Sequence, residues 1–210
     1  ISRAYTQGQH LGVPYVSKSW LEEACAGVIA LSAGVAGDVG QALLGERAAL
    51  AVERARYWMK LYPGRFYLEL HRTGREGDES HVHAAVKLAL ELQCPVVATN
   101  DVRFLTANEF EAHEARVCIR EGRTLDDPRR ARHYTEQQYL RSPQEMAELF
   151  ADIPEALANS VEIARRCNVV LRLGKPYLPD CPVPARLTMD EFFRQQSHEG
   201  LDKRLQVFLA

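Results

Sequence analysis

Short apolar segments alternate with longer amphipathic segments through the first 120 residues of the chain. Three apolar segments are typical of buried strands, and they lie at 28–32, 66–70 and 95–99. The segments around them have apolar positions at helical spacing and predict helices after a capping Ser19 and at 38–44, 46–61, 78–93 and 107–120. Strands that alternate with amphipathic helices indicate parallel β/α units, and continuous apolar strands indicate burial on both faces. The pattern therefore predicts an α/β fold, either a barrel or a doubly wound sheet.

The pattern changes after residue 122. Helical spacing continues without further apolar strands, and it predicts helical segments at 135–140, 143–150, 154–166 and 188–209. Ser142 begins one of them, because a serine cap, a proline in the first turn and Glu145 at the third position form a capping box. A proline-rich stretch at 178–184 is typical of a connector. We therefore expect a domain boundary near 172–186.

Composition and charge exclude several classes of protein. The net charge is −2 with a pI near 6.4, so no basic excess indicates nucleic-acid binding by the chain alone. Five cysteines are scattered without a Cys-x-x-Cys pair, which favours reduced thiols and a cytoplasmic protein over a disulfide framework or a zinc site. The apolar stretches are far shorter than the ~20 residues of a membrane span, and we expect no membrane partner.

Polar side chains lie at the carboxyl end of each predicted strand: Ser32 at the first, Glu69 with His71 at the second, and Asn100 with Asp101 at the third. In parallel β/α folds the functional groups lie at the carboxyl ends of strands. Two carboxylates on neighbouring strand ends can share a divalent metal or position a water for phosphoester hydrolysis. The alternative is structural: Glu69 pairs with Arg72 or Arg103, while Asp101 caps the following turn. Spacing alone leaves both interpretations open.

The histidines give a weaker signal. His81 and His83 fall within one predicted helix, about 200° apart around its axis, so they cannot easily bind one ion. Glu109 and His113 share a helix face, which favours a local polar contact over a metal site. We expect a solvent-exposed loop for the basic cluster Arg129, Arg130, Arg132 and His133. Phosphate-binding glycine loops and hydrolase motifs are absent, so the residues leave a metal phosphoesterase and a non-catalytic module as alternatives.

Several longer stretches resemble one family. The residues at 66–70, 96–104 and 124–128 are similar to the PHP (polymerase and histidinol phosphatase) domain of the bacterial DNA polymerase III alpha-subunit family, and those at 159–169 to the stretch that follows it. The resemblance implies a partial, distorted (β/α)7 PHP barrel at 1–172 that lacks its first strands. It also implies a proline-rich connector at 173–187 and the start of a helical polymerase region at 188–210. The chain begins with Ile1, and we expect it to be an internal segment of a longer polypeptide.

The resemblance also implies a function for the parent chain. Such a parent is a DNA-directed DNA polymerase that uses Mg²⁺, primed DNA, a proofreading exonuclease subunit and a sliding clamp. We expect this segment to be a structural PHP scaffold that binds partners such as the exonuclease, without catalytic residues or cofactors of its own. The alternative is a free-standing PHP-type phosphoesterase with two or three divalent metals.

The departures from the family pattern favour the scaffold. Glu69 and Asp101 match two of the family's metal ligands, whereas Thr73 and Arg103 stand where the family has histidines. The family's His-x-His strand end has no counterpart in this sequence. An arginine is permanently cationic and cannot bind a metal, but it can pair with a carboxylate. The resemblance therefore implies a degenerate site in which Glu69 and Asp101 remain and Arg103 supplies positive charge.

Overall fold

The computed structural model describes residues 2–170, 172–176 and 181–209. The chain forms two compact units that divide between Asn168 and Val169. Within the predicted connector at 173–187, residues 177–180 lie outside the described residues. The first unit contains the sheet and the candidate site.

A parallel sheet of three strands lies at the centre of the first unit. Its strands are adjacent in chain order: β3 (Ala30–Leu31), β4 (Phe66–Leu70) and β5 (Val96–Ala98). The bounds of β4 are as predicted, whereas β3 and β5 are shorter than predicted. The expectation of burial was wrong for Leu31, which is 39% exposed, because β3 is an edge strand. The described residues form no closed barrel, so the mixed α/β class is confirmed and the (β/α)7 barrel is not.

An N-terminal hairpin, nine α-helices and two 3-10 turns, Gly34–Ala36 and Ala107–Glu109, complete the described elements. The hairpin joins β1 (Gln9–His10) and β2 (Val13–Pro14). The helices are α1 (Ser2–Gln7), α2 (Lys18–Ala24), α3 (Asp38–Leu44), α4 (Ala48–Leu61), α5 (Asp78–Leu92), α6 (Phe110–Glu121), α7 (Pro143–Leu149), α8 (Pro154–Arg166) and α9 (Met189–Leu209). None of these helices has the length and apolar character that crossing a bilayer would require.

Helix starts follow local capping chemistry. The prediction of Ser19 as the first cap was wrong, because Ser17 has the extended backbone of a cap and its side chain accepts from the Trp20 amide. The capping box of Ser142 and Glu145 is confirmed. The predicted helix at 107–120 begins with a 3-10 turn, Ala107–Glu109, before α6.

The core forms where α4 and α5 pack against the sheet. Leu68 and Leu70 of β4 are almost fully buried, together with Ala51 and Ala55 of α4 and Val82 of α5. The exposure of α4 side chains follows the helical spacing at 46–61 only in part: Ala55 is buried, Val52 and Met59 are half-buried, and Ala49 and Arg56 are exposed. Ala51 and Ala55 are fully buried, so the core face of α4 contains small side chains.

The predicted helical segment at 135–140 was wrong. Tyr139 instead forms a parallel bridge with Phe104, and the Leu140 amide donates to the Phe104 carbonyl at 3.0 Å. The fully buried Gln138 fixes this extended segment, because its carbonyl accepts from the Arg103 amide at 2.8 Å. The segment therefore runs beside the chain that follows β5.

Helix α8 covers the outer edge of β5. The Asn159 amide donates to the Val96 carbonyl at 2.8 Å, and the Ser160 hydroxyl donates to the Ala98 carbonyl at 2.9 Å. These two side chains satisfy strand carbonyls that an adjacent strand would otherwise bind. The bounds predicted for this helix are confirmed.

Candidate functional site

The carboxyl ends of the three parallel strands meet around a cavity of about 190 Å³. The cavity lies above the sheet, where the residues after β3, β4 and β5 come together. Its lining contains both candidate carboxylates and two guanidinium groups: Ala33, Ala36, Glu69, His71, Arg75, Asp101 and Arg103. The structure therefore brings Glu69 and Asp101 into one cavity, and it adds Arg75 to them.

Glu69 is an ionised carboxylate held by its neighbours. Its side chain is 14% exposed, and its Oε1 accepts from the Thr99 hydroxyl at 2.6 Å and lies 3.2 Å from Nε2 of His71. Burial opposes ionisation, but the contact with His71 and the hydrogen bond from Thr99 outweigh it, so the pKa of Glu69 lies below its usual value. The alternative in which Glu69 pairs with Arg72 or Arg103 is wrong, because the ion pairs of these arginines go to other carboxylates.

His71 connects Glu69 to the loop that follows β4. The ring approaches Glu69 through Nε2, without the alignment of a good hydrogen bond, and its Nδ1 lies 3.4 Å from Nη2 of Arg75. These partners place the proton on Nε2 and leave Nδ1 as an acceptor. Gly34 permits this arrangement, because its φ is +52° and an added Cβ would lie 2.5 Å from Nδ1 of His71.

Asp101 is saturated by donors from three directions. Its Oδ2 accepts from Nη1 of Arg75 at 2.9 Å and from Nε2 of Gln138 at 3.0 Å, while Oδ1 forms an ion pair with Nη2 of Arg103 at 2.7 Å. The backbone of Asp101 has a φ of +42°, a left-handed conformation that turns the chain sharply after β5. Both oxygens of the second candidate ligand are therefore bound to protein cations or an amide.

Thr73 lies outside the cavity lining, although the family resemblance aligns it with a histidine ligand. It is fully buried, and its amide and hydroxyl both donate to Oδ2 of Asp78 at 2.8 Å. Asp78 also lies 3.8 Å from Nε of Arg75. The loop after β4 is thus held by Asp78, and Arg75 lies between Asp78 and Asp101.

The cavity does not fit a divalent metal cluster. Within residues 2–170, 172–176 and 181–209, no three His, Cys, Asp or Glu side chains are arranged to share an ion. The stronger argument is the chemistry of the lining, because two guanidinium groups compete with any cation for Asp101. Glu69 and His71 remain as possible metal donors, which is too few for the ligand set of a structural or catalytic metal.

The other candidate residues lie apart from this cavity. His81 is 2% exposed and His83 is exposed, so they occupy different faces of α5. Glu109 accepts from the amides of Leu105 and Thr106. Among the residues that the structure describes, no hydrogen bond or ion pair joins Glu109 to His113, although their spacing predicted a local contact.

The basic cluster at 129–133 is only partly a solvent-exposed loop. Arg129 is exposed and binds Asp127, as expected. The expectation was wrong for Arg130, whose side chain is 5% exposed and forms an ion pair with the equally buried Glu114 of α6.

Sequence reasoning missed two residues that hold the site together. Arg75 lies in a polar loop without periodicity, so nothing in its spacing distinguishes it from a solvent-exposed arginine. Gln138 lies in the segment that was predicted to be a helix. For Arg75, a signal was present in the glycines that flank it. Gly74 and Gly77 have positive φ angles and mark a tightly folded loop.

Comparison with known proteins gives a family and relatives. The PHP domain family matches residues 1–73. The DNA polymerase III subunit alpha of Pseudomonas aeruginosa is 55% identical over 209 residues, which is 100% of this chain and 18% of that protein. The subunits of Escherichia coli K12 and Vibrio cholerae are 51% and 49% identical over 98% of this chain.

The chain thus spans about a fifth of the length of these relatives, 18% in each case. Identity at this level over the whole chain confirms the predicted resemblance to a PHP-containing segment of the DNA polymerase III alpha subunit.

Proposed function

We propose that this chain, similar over its whole length to a segment of DNA polymerase III alpha subunits, is a structural PHP scaffold within a replicative polymerase. The parent protein would carry out template-directed DNA synthesis in the cytoplasm, with Mg²⁺ at an active site elsewhere in the polypeptide. Primed DNA, a sliding clamp and a proofreading exonuclease would be its partners. The segment itself would contribute rigidity and a binding surface.

The observation that carries this proposal is the double ion pair of Asp101. Arg75 and Arg103 each form an ion pair with a different oxygen of this carboxylate, at 2.9 and 2.7 Å. A metal cluster would need those oxygens as ligands, and its positive charge would repel both guanidinium groups. The two arginines therefore supply the charge that a cation supplies in a metal-binding PHP domain.

The same contacts explain how the segment could act as a scaffold. Arg75 links Asp101, after β5, to Asp78, at the start of α5. Gln138 attaches the segment at 135–140 to the same group of residues, because its side chain donates to the carbonyl and to the side chain of Asp101. Because these bonds join parts of the chain that are distant in sequence, they hold the carboxyl end of the sheet in one arrangement.

Metal titration tests whether the segment has lost its metal site, as the scaffold proposal requires. We expect isothermal calorimetry of the chain with Mn²⁺ or Zn²⁺ to give no saturable binding above that of a Glu69→Ala variant. Glu111→Ala, which removes an exposed carboxylate from α6, controls for weak surface binding. Stoichiometric binding that Glu69→Ala abolishes and Glu111→Ala retains would contradict the scaffold proposal.

The alternative, a free-standing PHP-type phosphoesterase, is favoured by one observation. Glu69 is ionised beside His71 in a partly open cavity, which is an arrangement that could bind one metal ion. Hydrolysis of a phosphodiester by the chain in the presence of Mn²⁺, with loss of activity in Glu69→Ala, would support this alternative.

Partner binding is tested in the complete polymerase subunit. We expect Arg75→Met to weaken retention of the exonuclease subunit on gel filtration, while primer extension continues because its active site lies elsewhere. Arg129→Gln, at an exposed ion pair, is the matched control and should retain both activities. If Arg75→Met is less stable than the wild type but retains the exonuclease equally well, the bonds of Arg75 stabilise the fold without contributing to partner binding.

A further inference from the structure

A second cavity, of about 350 Å³, lies beside the candidate site and shares Arg103 with it. It is bounded by the chain that follows β5 and by the first two turns of α6. Its lining combines cations with apolar groups: Arg103, Phe104, Leu105, Glu109, Ala112, His113 and Arg116. The volume falls within the ~300–1,000 Å³ of typical small-molecule pockets.

Positive charge in this cavity is incompletely neutralised. Arg103 is fixed on one side by Asp101 and lies over the ring of Tyr134, with its guanidinium carbon 5.4 Å from the ring centroid. Its side chain is nevertheless 43% exposed, so its remaining N–H groups can reach a ligand. Arg116 is exposed, and its guanidinium makes no ion pair among the residues that the structure describes.

The acidic residue of the lining, Glu109, is bound to backbone amides and forms no ion pair with either arginine among the described residues. Oε2 of Glu109 accepts from the Leu105 amide at 2.8 Å and from the Thr106 amide at 3.1 Å. These bonds close the capping box of the 3-10 turn and hold the carboxylate against the backbone. Arg116, two turns further along α6, is therefore left without this acid as a partner.

His113 adds a polar group to the floor of the cavity. Its ring packs against Phe104 and Tyr134, with centroids 5.5 and 4.6 Å away. Its Nδ1 is buried and has no hydrogen-bond partner. Burial, together with the nearby charges of Arg103 and Arg116, lowers the pKa of His113 against the opposing effect of Glu114, so the ring is neutral near pH 7 and can both donate and accept.

We propose that this cavity binds a phosphate ester, with the phosphate between Arg103 and Arg116 and the organic part along Phe104, Leu105 and Ala112. Two guanidinium groups line the same cavity, and a phosphate accepts charge-assisted hydrogen bonds from several such donors at once. The apolar wall favours an ester over inorganic phosphate, and the exposed Leu105 offers a contact for a flat base. This site is separate from the carboxylate cavity and does not depend on the scaffold proposal.

A free nucleotide and a nucleic-acid strand both carry a phosphate ester, so three ligands are compared to decide which of them the cavity binds. Inorganic phosphate, a deoxynucleoside monophosphate and a fluorescent single-stranded oligothymidylate are each titrated into the chain at low and moderate salt. We expect the monophosphate to bind more tightly than inorganic phosphate. Tighter binding of the oligonucleotide, with a steep loss on adding salt, would identify a nucleic-acid strand as the source.

The matched variants are Arg116→Gln and Arg120→Gln, which remove exposed cations one turn apart on α6. Because Arg120 does not line the cavity, both variants lose the same net charge and only one loses the proposed contact. We expect Arg116→Gln to weaken monophosphate binding by about 10- to 100-fold, the range for one hydrogen bond to a charged group. Arg120→Gln should bind within about twofold of the wild type.

Equal effects of the two variants would overturn the proposal, as would equal binding of an oligoglutamate peptide, since either result indicates general attraction of anions. A second readout is the NMR signal of the His113 ring. We expect it to shift when the monophosphate binds and to remain unchanged in Arg116→Gln at the same ligand concentration. An unshifted His113 signal at saturating ligand would also contradict the site.

Discussion

Arg75 donates to Oδ2 of Asp101 at 2.9 Å, across 26 positions of sequence. Both side chains are mostly buried, at 25% and 20% exposed. This pair therefore joins the loop after β4 to the turn after β5 at the centre of the candidate site. Its partial burial makes it stronger than a surface ion pair and makes the loss of one partner costly.

Replacement of Arg75 by methionine should destabilise the chain by about 2–3 kcal/mol, because Asp101 and the buried Asp78 both lose a cation. Breaking a fully buried pair costs about 3–5 kcal/mol, and the exposure of Arg75 reduces that value. The free energy of unfolding in urea, with the slope compared between variants, measures the effect.

Arg103→Met is the matched control for that change, because Arg103 binds the same carboxylate but is 43% exposed. We expect it to lower the unfolding free energy by less than about 1 kcal/mol, as for exposed ion pairs. Equal losses in the two variants would show that Arg75 has no special role in the network.

The sequence predicted the regular elements better than the connections between them. The bounds of β4, α3 and α8 were correct because each has a clear periodicity and a local start or stop signal, such as proline at the first turn of α8. The segment at 135–140 was predicted to be helical because its apolar spacing is ambiguous. Its extended form depends on the bridge between Tyr139 and Phe104 and on the bond from the Arg103 amide to the Gln138 carbonyl, and each contact joins residues 35 positions apart.

The candidate site was predictable in part for the same reason. Glu69 and Asp101 were identified because strand ends in a parallel sheet meet at one edge. Arg75 and Gln138 reach the site from a loop and from an extended segment whose paths no local pattern encodes. Prediction from sequence thus found the groups fixed by the sheet and missed those positioned by tertiary contacts.

The ion pair of Arg130 and Glu114 should be one of the strongest in the chain. Both side chains are 5% exposed, and Nε of Arg130 also donates to the Leu125 carbonyl. Arg130→Met leaves the Glu114 carboxylate buried without its cation, and we expect a clear loss in the free energy of unfolding, larger than for an exposed ion pair.

Arg129→Gln provides the comparison, since Arg129 is the neighbouring arginine and is 79% exposed. We expect it to change stability by less than about 1 kcal/mol. A double variant in which Glu114 is also replaced by methionine should recover part of the loss, because no buried charge remains. Failure of the second substitution to recover any stability would show that packing, not the unpaired charge, causes the effect.

His81 should make the stability of the fold depend on pH. Burial lowers the pKa of His81 from the ordinary 6.5, and it outweighs the opposing charges of Asp78 and Glu69. Below pH 6.5 the unfolded chain therefore binds a proton at this position before the folded chain does, so stability falls as the pH decreases from 6.5 through the lower folded pKa. Above pH 6.5 the contribution is constant.

The matched pair His81→Gln and His83→Gln tests this effect in urea unfolding between pH 7.5 and 5. His81→Gln should flatten the dependence, while His83→Gln, at an exposed position of the same helix, should retain it. An unchanged slope in His81→Gln would mean that another group titrates in this range.

Helix α8 should protect the outer edge of β5 through Asn159 and Ser160, which bind the carbonyls of Val96 and Ala98. Removing one of these donors leaves a half-buried carbonyl without a partner, and we expect Asn159→Ala to cost about 1–2 kcal/mol. Replacing both should also expose a strand edge to other chains, because unpaired edges promote association. Light scattering of the double variant should rise with concentration, whereas Glu162→Gln, on the exposed face of α8, should scatter like the unmodified chain. A double variant that is less stable yet scatters like the control would show that α8 adds stability without blocking the edge.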